Sequence, residues 1–284
     1  MQRLSTPRPL LLAAVLCVGL GGAMSAQAQI NVDCSGVPFA TIQQAVNTAG
    51  PGDVVVVEQG CSGIPQAINI IGMNDLQIVG ADQPSGTFGA YAVGPNQWPP
   101  SNPTYYDLGQ SCIHIEQSTD ISVVGLSFEY CVDDGVTILD SKRITIQGLT
   151  TYYVGADGIG VRNSHDVNLS GNFLFGAYGA GRWGISVDPS SDLVRIQNNR
   201  ITKNRNGILM EGRRVHVLNN DVSNNSDLGI LVAADESTVA RNDTLNNGSG
   251  IGIDFTLMPP GTCVTGNDTN GTLVPFAGCQ SHNN

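Results

Sequence analysis

The feature that most constrains the fold of this chain is a repeat with a period of about 23 residues. The segments "GILMEGRRVHVLNNDVSNN" (207–225) and "GILVAADESTVARNDTLNN" (229–247) repeat one pattern and match at 8 of their 19 positions. Five further segments share the pattern, and the successive starts lie at residues 112, 135, 158, 184, 207, 229 and 252. Within each copy, stretches such as "GVTIL" and "RITIQ" alternate apolar and polar residues, which is typical of strands. Turn-forming Asn, Gly, Ser and Asp separate them. So regular a period indicates a repeat architecture.

A unit of this length with two or three short strands cannot bury its own apolar side chains. Each unit must stack on a copy of itself, which predicts an all-β solenoid in which every unit forms one coil. Equivalent strands would pair in parallel about 4.8 Å apart, with Ile, Val and Leu stacked inside. Recurrent asparagines fit an internal ladder of stacked amides at the bends: Asn172, Asn199, Asn220, Asn242 and Asn267.

This pattern resembles the right-handed parallel β-helix family with the pectate-lyase-like fold, over residues 112–270 and, less closely, over 34–82. The resemblance implies a single-stranded right-handed β-helix, a short capping helix at its N-terminal end, and polysaccharide binding in the groove beside the "G-I-x-V-x" strand. It carries the architecture rather than an activity. Periplasmic alginate epimerases of this fold have an Asp-Pro-His-Asp motif. Here residues 188–191 read "DPSS", without the histidine, which argues against that specific activity.

The chain divides into an export signal and one domain. Arg3 and Arg8, the apolar run "LLLAAVLCVGLGGA" and "AQA" at 26–28 predict a signal peptide over residues 1–28, so the protein would be secreted or periplasmic. An uncleaved membrane anchor is the less favoured alternative. The remaining domain, 29–284, would contain a cap helix at 38–50, an irregular flap at 82–110, and a C-terminal cap at 259–284.

Six cysteines remain after signal cleavage, and export places them in an oxidising compartment. Six cysteines allow about 15 connectivities, and proximity in the coil model favours neighbouring pairs. The predicted pairs are Cys34 with Cys61, Cys112 with Cys131, and Cys263 with Cys279.

The charge balance restricts the partners. Residues 1–28 hold two of the 13 basic residues and none of the 24 acidic ones, so the mature chain has a formal net charge of −13. This acidity argues against nucleic acid as a partner. All mature basic residues lie between 142 and 241, so an anionic polysaccharide is compatible if they gather on one face. We expect a monomer that does not insert into membranes.

The outward positions of the repeat hold the candidate site. In each coil the third and fifth residues would point outward, which stacks Arg162, Asp188 and Glu211 on neighbouring coils as a charged ladder. These three and Asp157 are the candidate catalytic residues. The candidate substrate-binding residues border the ladder or, as Trp98, lie in the aromatic flap: His114, Glu116, Asp134, Arg182, Trp183, Arg205 and Trp98.

Three function classes stay open at this stage. The first is a lyase, epimerase or glycoside hydrolase acting on an acidic polysaccharide. Arg162, or Ca²⁺ held by Asp157, Asp188 and Glu211, would neutralise a uronate carboxylate, whereas hydrolysis would need two carboxylates. The second is a non-catalytic carbohydrate-binding or surface protein, and the third is a structural solenoid. The purely structural alternatives are an ordinary surface salt bridge at Arg162 and turn formation at Asp134 and Asp157.

Overall fold

The computed structural model describes residues 27–273, apart from positions 35, 37–38, 59–60, 62–63, 66, 82–89, 94–110, 178–181, 250–251, 255, 258, 260 and 270–271. Three predicted features therefore fall wholly or mostly outside the described residues. They are the signal peptide up to residue 26, the flap with Trp98, and the last eleven residues with Cys279.

The chain folds into a parallel β-helix of about eight coils, as the repeat predicts. Each full coil adds one strand to an eight-stranded sheet, then one to a ten-stranded sheet, and in the earlier coils one to a six-stranded sheet. The eight-stranded sheet contains β4 (Ile68–Ile71), β7 (Ile113–Glu116), β10 (Val136–Leu139), β13 (Ile159–Arg162), β16 (Trp183–Val187), β19 (Asn206–Met210), β21 (Ile230–Val232) and β23 (Ile253–Asp254).

The ten-stranded sheet contains β1 (Gln29–Val32), β2 (Val54–Val57), β5 (Asn74–Gly80), β8 (Thr119–Val124), β11 (Lys142–Gln147), β14 (His165–Ser170), β17 (Asp192–Gln197), β20 (His216–Leu218), β22 (Thr238–Ala240) and β24 (Cys263–Thr265). The six-stranded sheet contains β3 (Ile64–Pro65), β6 (Ala90–Val93), β9 (Leu126–Glu129), β12 (Thr150–Val154), β15 (Phe173–Ala177) and β18 (Arg200–Thr202). Two short strands, β25 (Asp268–Thr269) and β26 (Thr272–Leu273), pair antiparallel.

The core is a continuous stack of apolar side chains along the axis. In the eight-stranded sheet, Ile115, Ile138 and Val161 lie in register on successive coils and are fully buried. The same alternation that marks these strands in the sequence points their apolar residues inward. Because each coil covers the apolar face of the next, the repeat is self-supporting only as a stack.

The predicted asparagine ladder is confirmed. The backbone N–H and the Nδ2 of Asn199 both donate to Oδ1 of Asn220, at 2.9 and 3.0 Å, and Nδ2 also donates to the carbonyl of Leu169. The same contacts run through Asn172, Asn220, Asn242 and Asn267. A second ladder, of serine hydroxyls, lines the bend into the ten-stranded sheet: Ser118, Ser141, Ser164 and Ser191.

The described part of the N-terminal end is closed by a helix and a disulfide. Helix α1 (Ile42–Val46) is shorter than the predicted 38–50, because Thr41 caps its start and the chain leaves the helix at Asn47. Its Ile42, Ala45 and Val46 face the core. No helix among the described residues has the length and apolarity needed to cross a membrane.

Two of the predicted disulfides are confirmed. Cys34 bonds to Cys61, and Cys112 bonds to Cys131. Cys263 is also disulfide-bonded, whereas its predicted partner lies outside the described residues. The second bond ties the strand that opens one coil to the bend that closes it.

Candidate functional site

The register of the eight-stranded sheet confirms the outward columns read from the sequence. One column runs along the coils in the order His114, Thr137, Gly160, Ser186, Leu209, Leu231 and Asp254. The neighbouring column pairs Glu116 with Leu139 and Leu139 with Arg162. Asp188 and Glu211 continue it, because each directly follows a residue in this register, Val187 and Met210.

The side chains of this second column do not form the predicted charge ladder. The carboxylate of Asp188 turns back onto the chain and accepts from Ser191 Oγ at 2.6 Å and from the backbone N–H of Asn163 at 3.2 Å. Glu211 is exposed. Asp188 opens a tight turn, where its oxygens satisfy the backbone better than they could satisfy a distant guanidinium. Within the described residues, Arg162 forms ion pairs with neither of them.

The structure instead brings Arg162 to Asp134, a predicted binding residue, and to Asp157, a predicted catalytic residue; both were expected to border the ladder. Nη1 of Arg162 donates to Oδ2 of Asp134 at 2.8 Å, and Nη2 lies 4.0 Å from Oδ2 of Asp157. The Asp134 side chain is completely buried, whereas that of Arg162 is 39% exposed. We call Asp134, Asp157 and Arg162 the Arg162 cluster. One face of its cation is held by protein, and the other is open.

In each aspartate of the cluster, one carboxylate oxygen binds the backbone of the next coil and the other binds side chains of the site. Oδ1 of Asp134 accepts from the backbone N–H of Asp157, and Oδ1 of Asp157 accepts from that of Trp183, both at 2.9 Å. Oδ2 of Asp134 accepts from Thr137 at 2.8 Å, and Oδ2 of Asp157 accepts from Ser186 at 2.6 Å. Turn formation therefore uses only half of each carboxylate, and the other half faces Arg162.

Burial within the cluster favours the protonated form of Asp157. Burial raises the pKa of Asp157 above its ordinary value, and the hydrogen bonds from Ser186 and Trp183 lower it by less. Burial, then the charge of Asp134, raises the pKa of Asp133. Burial opposes the charge on Arg162, but Asp134 outweighs it, and the Arg162 pKa is raised. The site thus combines a permanent cation with a carboxyl group whose pKa is raised by burial.

Asp133 was missed by the sequence analysis. It is half-buried and feels the charges of Arg162, Arg182 and His114. The sequence signal is the "DDG" of residues 133–135. Only the second aspartate directly precedes the repeat glycine, and only that position was assigned to the predicted site.

The predicted binding residues are distributed around the cluster to different degrees. His114 Nε2 lies 3.0 Å from Glu116 Oε2 on β7, so these two form their own pair. Trp183 contributes its backbone N–H to Asp157, and Arg182 lies near enough to influence Asp133. Arg205 is exposed, and no side-chain contact joins it to the cluster within the described residues.

No metal site is evident in the part of the chain that the structure describes. There, no three His, Cys, Asp or Glu side chains are grouped so that they could hold a metal ion. In particular, Asp157 binds Ser186, Asp188 binds Ser191, and Glu211 is exposed. Calcium binding stays a prediction without geometric support.

A second feature that the sequence analysis missed is an aromatic cluster on the outer face of the six-stranded sheet. Tyr130 and Tyr153 stack with ring centroids 5.6 Å apart, and Phe175 meets Tyr153 edge-on. Tyr152 and Phe173 extend the cluster. The sequence signal for this cluster is the set of aromatic residues on the third strand of each coil, whereas the predicted site used outward residues of the first strand only.

Comparison with known proteins agrees with the fold. A family model described as "Periplasmic copper-binding protein (NosD)" matches residues 100–271. Comparison with curated protein sequences gave no significant match.

Solved structures with the same fold are distant in sequence. Pectate lyase Pel9A is 11% identical, with a TM-score of 0.58, over 86% of this chain and 71% of that one. An alginate lyase from Paenibacillus sp. str. FPU-7 is 16% identical, with a TM-score of 0.55, over 78% and 77%. The periplasmic alginate epimerase AlgG is 14% identical with a TM-score of 0.43, and the match spans 68% of this chain but only 53% of that protein. At these identities the likeness establishes the fold alone.

Proposed function

The chain belongs to the NosD family of periplasmic right-handed β-helix proteins, and on that premise we propose that it binds and modifies an acidic polysaccharide at the Arg162 cluster. The protein is secreted or periplasmic, where such polymers are found and where its disulfides persist. The pectate lyase and the alginate lyase that share its fold are named for acidic polysaccharides, which supports this substrate class.

One observation carries the proposal: Arg162 lies across the sheet, fixed on one side by buried Asp134 and open on the other. A fixed guanidinium offers paired donors that match a carboxylate, and it needs no reordering when the ligand arrives. Beside it, Asp157 has a raised pKa and lies 4.0 Å from Nη2. A uronate carboxylate on the open side of Arg162 would place its sugar next to a group that can give or take a proton.

The arrangement favours elimination or epimerisation over hydrolysis. Both reactions begin with loss of the proton beside the sugar carboxylate, which a neutralising cation makes easier. Hydrolysis requires two carboxyl groups that reach the sugar. Asp134 is fully buried and engaged with Arg162 and Thr137, which leaves Asp157, whose side chain is 10% exposed, as the less completely buried carboxyl of the cluster.

The copper in the family description does not fit the described residues. Copper favours His, Cys and Met ligands, but the five described cysteines are in disulfides. The three described histidines, His114, His165 and His216, lie on three different strands of two sheets. Of the two described methionines, Met210 is buried in the core and Met73 packs against the core. We therefore assign copper no part in the chemistry of this cluster.

The test is a screen of the mature protein against polymers of galacturonate, mannuronate and guluronate. Unsaturated products absorb in the ultraviolet and would mark a lyase, whereas new reducing ends without that absorbance would mark a hydrolase. Arg162→Ala should weaken binding or turnover about 30-fold or more, since it removes the cation that would bind the uronate carboxylate and leaves buried Asp134 without its ion-pair partner. Arg241→Ala, at an exposed position on a later coil, is the control and should change little. Equal, negligible effects would overturn the proposal and favour a structural solenoid.

A further inference from the structure

The outward column of the eight-stranded sheet contains one position without a side chain, Gly160. It lies in the middle of strand β13, between Thr137 on one coil and Ser186 on the next. Glycine weakens a strand interior, and it commonly marks a place where another group approaches closely. The backbone of Gly160 does not have a positive φ, so its conformation does not require glycine. The reason must be space.

The space above Gly160 is filled by the guanidinium of Arg162. A Cβ at this position would lie 2.9 Å from Nη2 and 3.0 Å from Cζ of Arg162, and 2.8 Å from Oδ2 of Asp134. These distances are shorter than carbon atoms tolerate, so the arginine or the aspartate would have to move. The side chain of Arg162 therefore folds back over its own strand to reach Asp134, and only glycine leaves room for it.

The glycines that define the repeat differ in this respect. A Cβ on Gly158 would meet the carbonyl oxygen of Gly184 at 2.4 Å, and one on Gly207 would meet that of Gly229 at 2.3 Å. Those glycines allow one coil to stack on the next. The crowding at Gly160 involves only side chains of the Arg162 cluster, so a methyl group there threatens the site rather than the stack.

We infer that Gly160 and Asp134 are positioning residues that hold Arg162 flat against the sheet, and that this placement selects anionic over neutral sugars. The inference rests on the proposed function. The guanidinium held in this way exposes one face at a fixed height above Gly160. An arginine released from that seat would extend into solvent, where it would bind a carboxylate with less order and further from Asp157.

The test compares Gly160→Ala with the wild type. Binding of oligogalacturonate and oligomannuronate should weaken about tenfold, the value of one charged hydrogen bond, whereas binding of neutral manno-oligosaccharides should not change. Melting temperature should fall only slightly, since alanine suits a strand better than glycine does and Asp134 keeps its hydrogen bonds from Thr137 and the Asp157 N–H when Arg162 moves. Gly50→Ala is the matched control, because its added Cβ would meet only Asp53 Oδ2, at 3.6 Å.

A double-mutant cycle shows whether Gly160 acts through Arg162. The double variant Gly160→Ala/Arg162→Ala should bind uronate oligomers as Arg162→Ala alone does, within about twofold. Independent, multiplying effects would overturn the inference, as would unchanged binding by Gly160→Ala. If that variant melts at a lower temperature, Asp134→Asn provides the second route, because it removes the charge that holds Arg162 and should cause the same loss of selectivity.

A ligand-free measurement separates this inference from the proposed function. Phenylglyoxal modifies accessible guanidinium groups, and peptide mass spectrometry gives the rate at Arg162. Gly160→Ala should raise that rate several-fold and leave the rate at Arg205 unchanged; equal rates at Arg162 would overturn the positioning role. If the wild type binds no uronate oligomer, the proposed function and the selectivity for anionic sugars both fall, while the labelling rates still decide whether Gly160 positions Arg162.

Discussion

The bend that leads into the eight-stranded sheet is built differently in the early and the late coils. In the late coils, buried asparagines fill it: Asn225 Oδ1 accepts from the backbone of Asn204, and its Nδ2 donates to Asn247 Oδ1 at 3.1 Å. In the early coils, Asp134 and Asp157 lie in the bend, and Trp183 and then Asn206 follow them in the same column. Both solutions satisfy the backbone of the neighbouring coil.

The difference shows how one architecture can either hide or expose polar groups. An amide offers both donors and an acceptor, so stacked asparagines satisfy one another and leave nothing outward. A carboxylate only accepts, and after one oxygen has bound the backbone, the other must recruit donors. At Asp134 and Asp157 those donors are Thr137, Ser186 and Arg162. An acid in this bend thus ties a cation to the outer face of the sheet, which Asn204 and Asn225, in a different column of the same bend, do not do.

The largest expected effect concerns the late coils. Asn225→Ala should lower the free energy of unfolding by about 3 kcal/mol, since it leaves several buried polar groups without partners. The measurement is urea denaturation followed by circular dichroism. Ser226→Ala, at the exposed neighbouring position, should cost no more than about 0.5 kcal/mol. Similar small losses in both variants would mean that the ladder does not stabilise these coils.

The next prediction exchanges the acid and the amide that occupy the same column of the bend. Asp157→Asn places in the early bend the amide that Asn206 supplies later. It should retain the acceptor for the Trp183 N–H and cost less than about 1 kcal/mol of stability. Activity on a uronate polymer should fall about 100-fold, because the proton-exchanging group is lost. The reciprocal Asn206→Asp should create no activity. Full activity in Asp157→Asn would identify Asp157 as a turn former only.

A third comparison uses the residue at which each coil leaves the six-stranded sheet. Tyr153 and Lys203 both have positive φ there, at 55° and 59°, a conformation that costs bulky residues energy and glycine little. Lys203→Gly should stay within about 0.5 kcal/mol of the wild type. Tyr153→Gly should lose about 2 kcal/mol, because it removes the ring that packs on Tyr130 and Phe175. Equal thermal stability of the two variants would show that the aromatic rings contribute nothing.

The smallest expected effect is a pH dependence. In the unfolded chain Asp157 releases its proton near 3.8, but burial raises its pKa in the folded state. Between the two values the folded state binds more protons, so the unfolding free energy falls as pH rises. Asp157→Asn lacks this loss, and its stability relative to the wild type should therefore improve as pH rises from about 4 through the folded pKa. Denaturation midpoints across the pH range test this.

Asp120→Asn is the control of opposite sign. The hydrogen bond from Arg143 lowers the pKa of Asp120, so its contribution is present at higher pH and lost as pH falls. This variant should become less stable relative to the wild type as pH rises. If the two differences from the wild type run in the same direction, the burial of Asp157 does not control its ionisation.

Nearly all of the fold could be predicted from the sequence, because one repeating unit determines the strands of every coil. The starts of the repeat fixed which strands pair, and the outward columns through His114 and Thr137 followed from counting along each strand. The predicted range of helix α1 was too long, since the spacing of apolar residues indicates that a helix exists but not where it begins and ends. The asparagine ladder was predictable because a buried polar residue recurring once per coil has few other partners.

The site was only partly predictable, since register gives the height of a residue and not the direction of its side chain. Asp188 lies where the column predicts, yet its carboxylate turns to Ser191. Arg162 also occupies its predicted position, yet it folds back across Gly160 toward Asp134. These choices depend on local hydrogen bonds and on one missing Cβ. A periodic pattern contains neither kind of information.

Each asparagine of the ladder binds the next one through the same groups, so the ladder can accept an additional coil. Asn220 presents to Asn242 the same groups that Asn199 presents to Asn220. A duplicated coil inserted after residue 228 would therefore find compatible partners above and below, as the segments 207–225 and 229–247, which match at 8 of 19 positions, already do on neighbouring coils. Such an insertion would move everything beyond it by about 4.8 Å along the axis and leave Asp134, Asp157 and Arg162 in place. Gene duplication can thus lengthen this molecule without touching its chemistry.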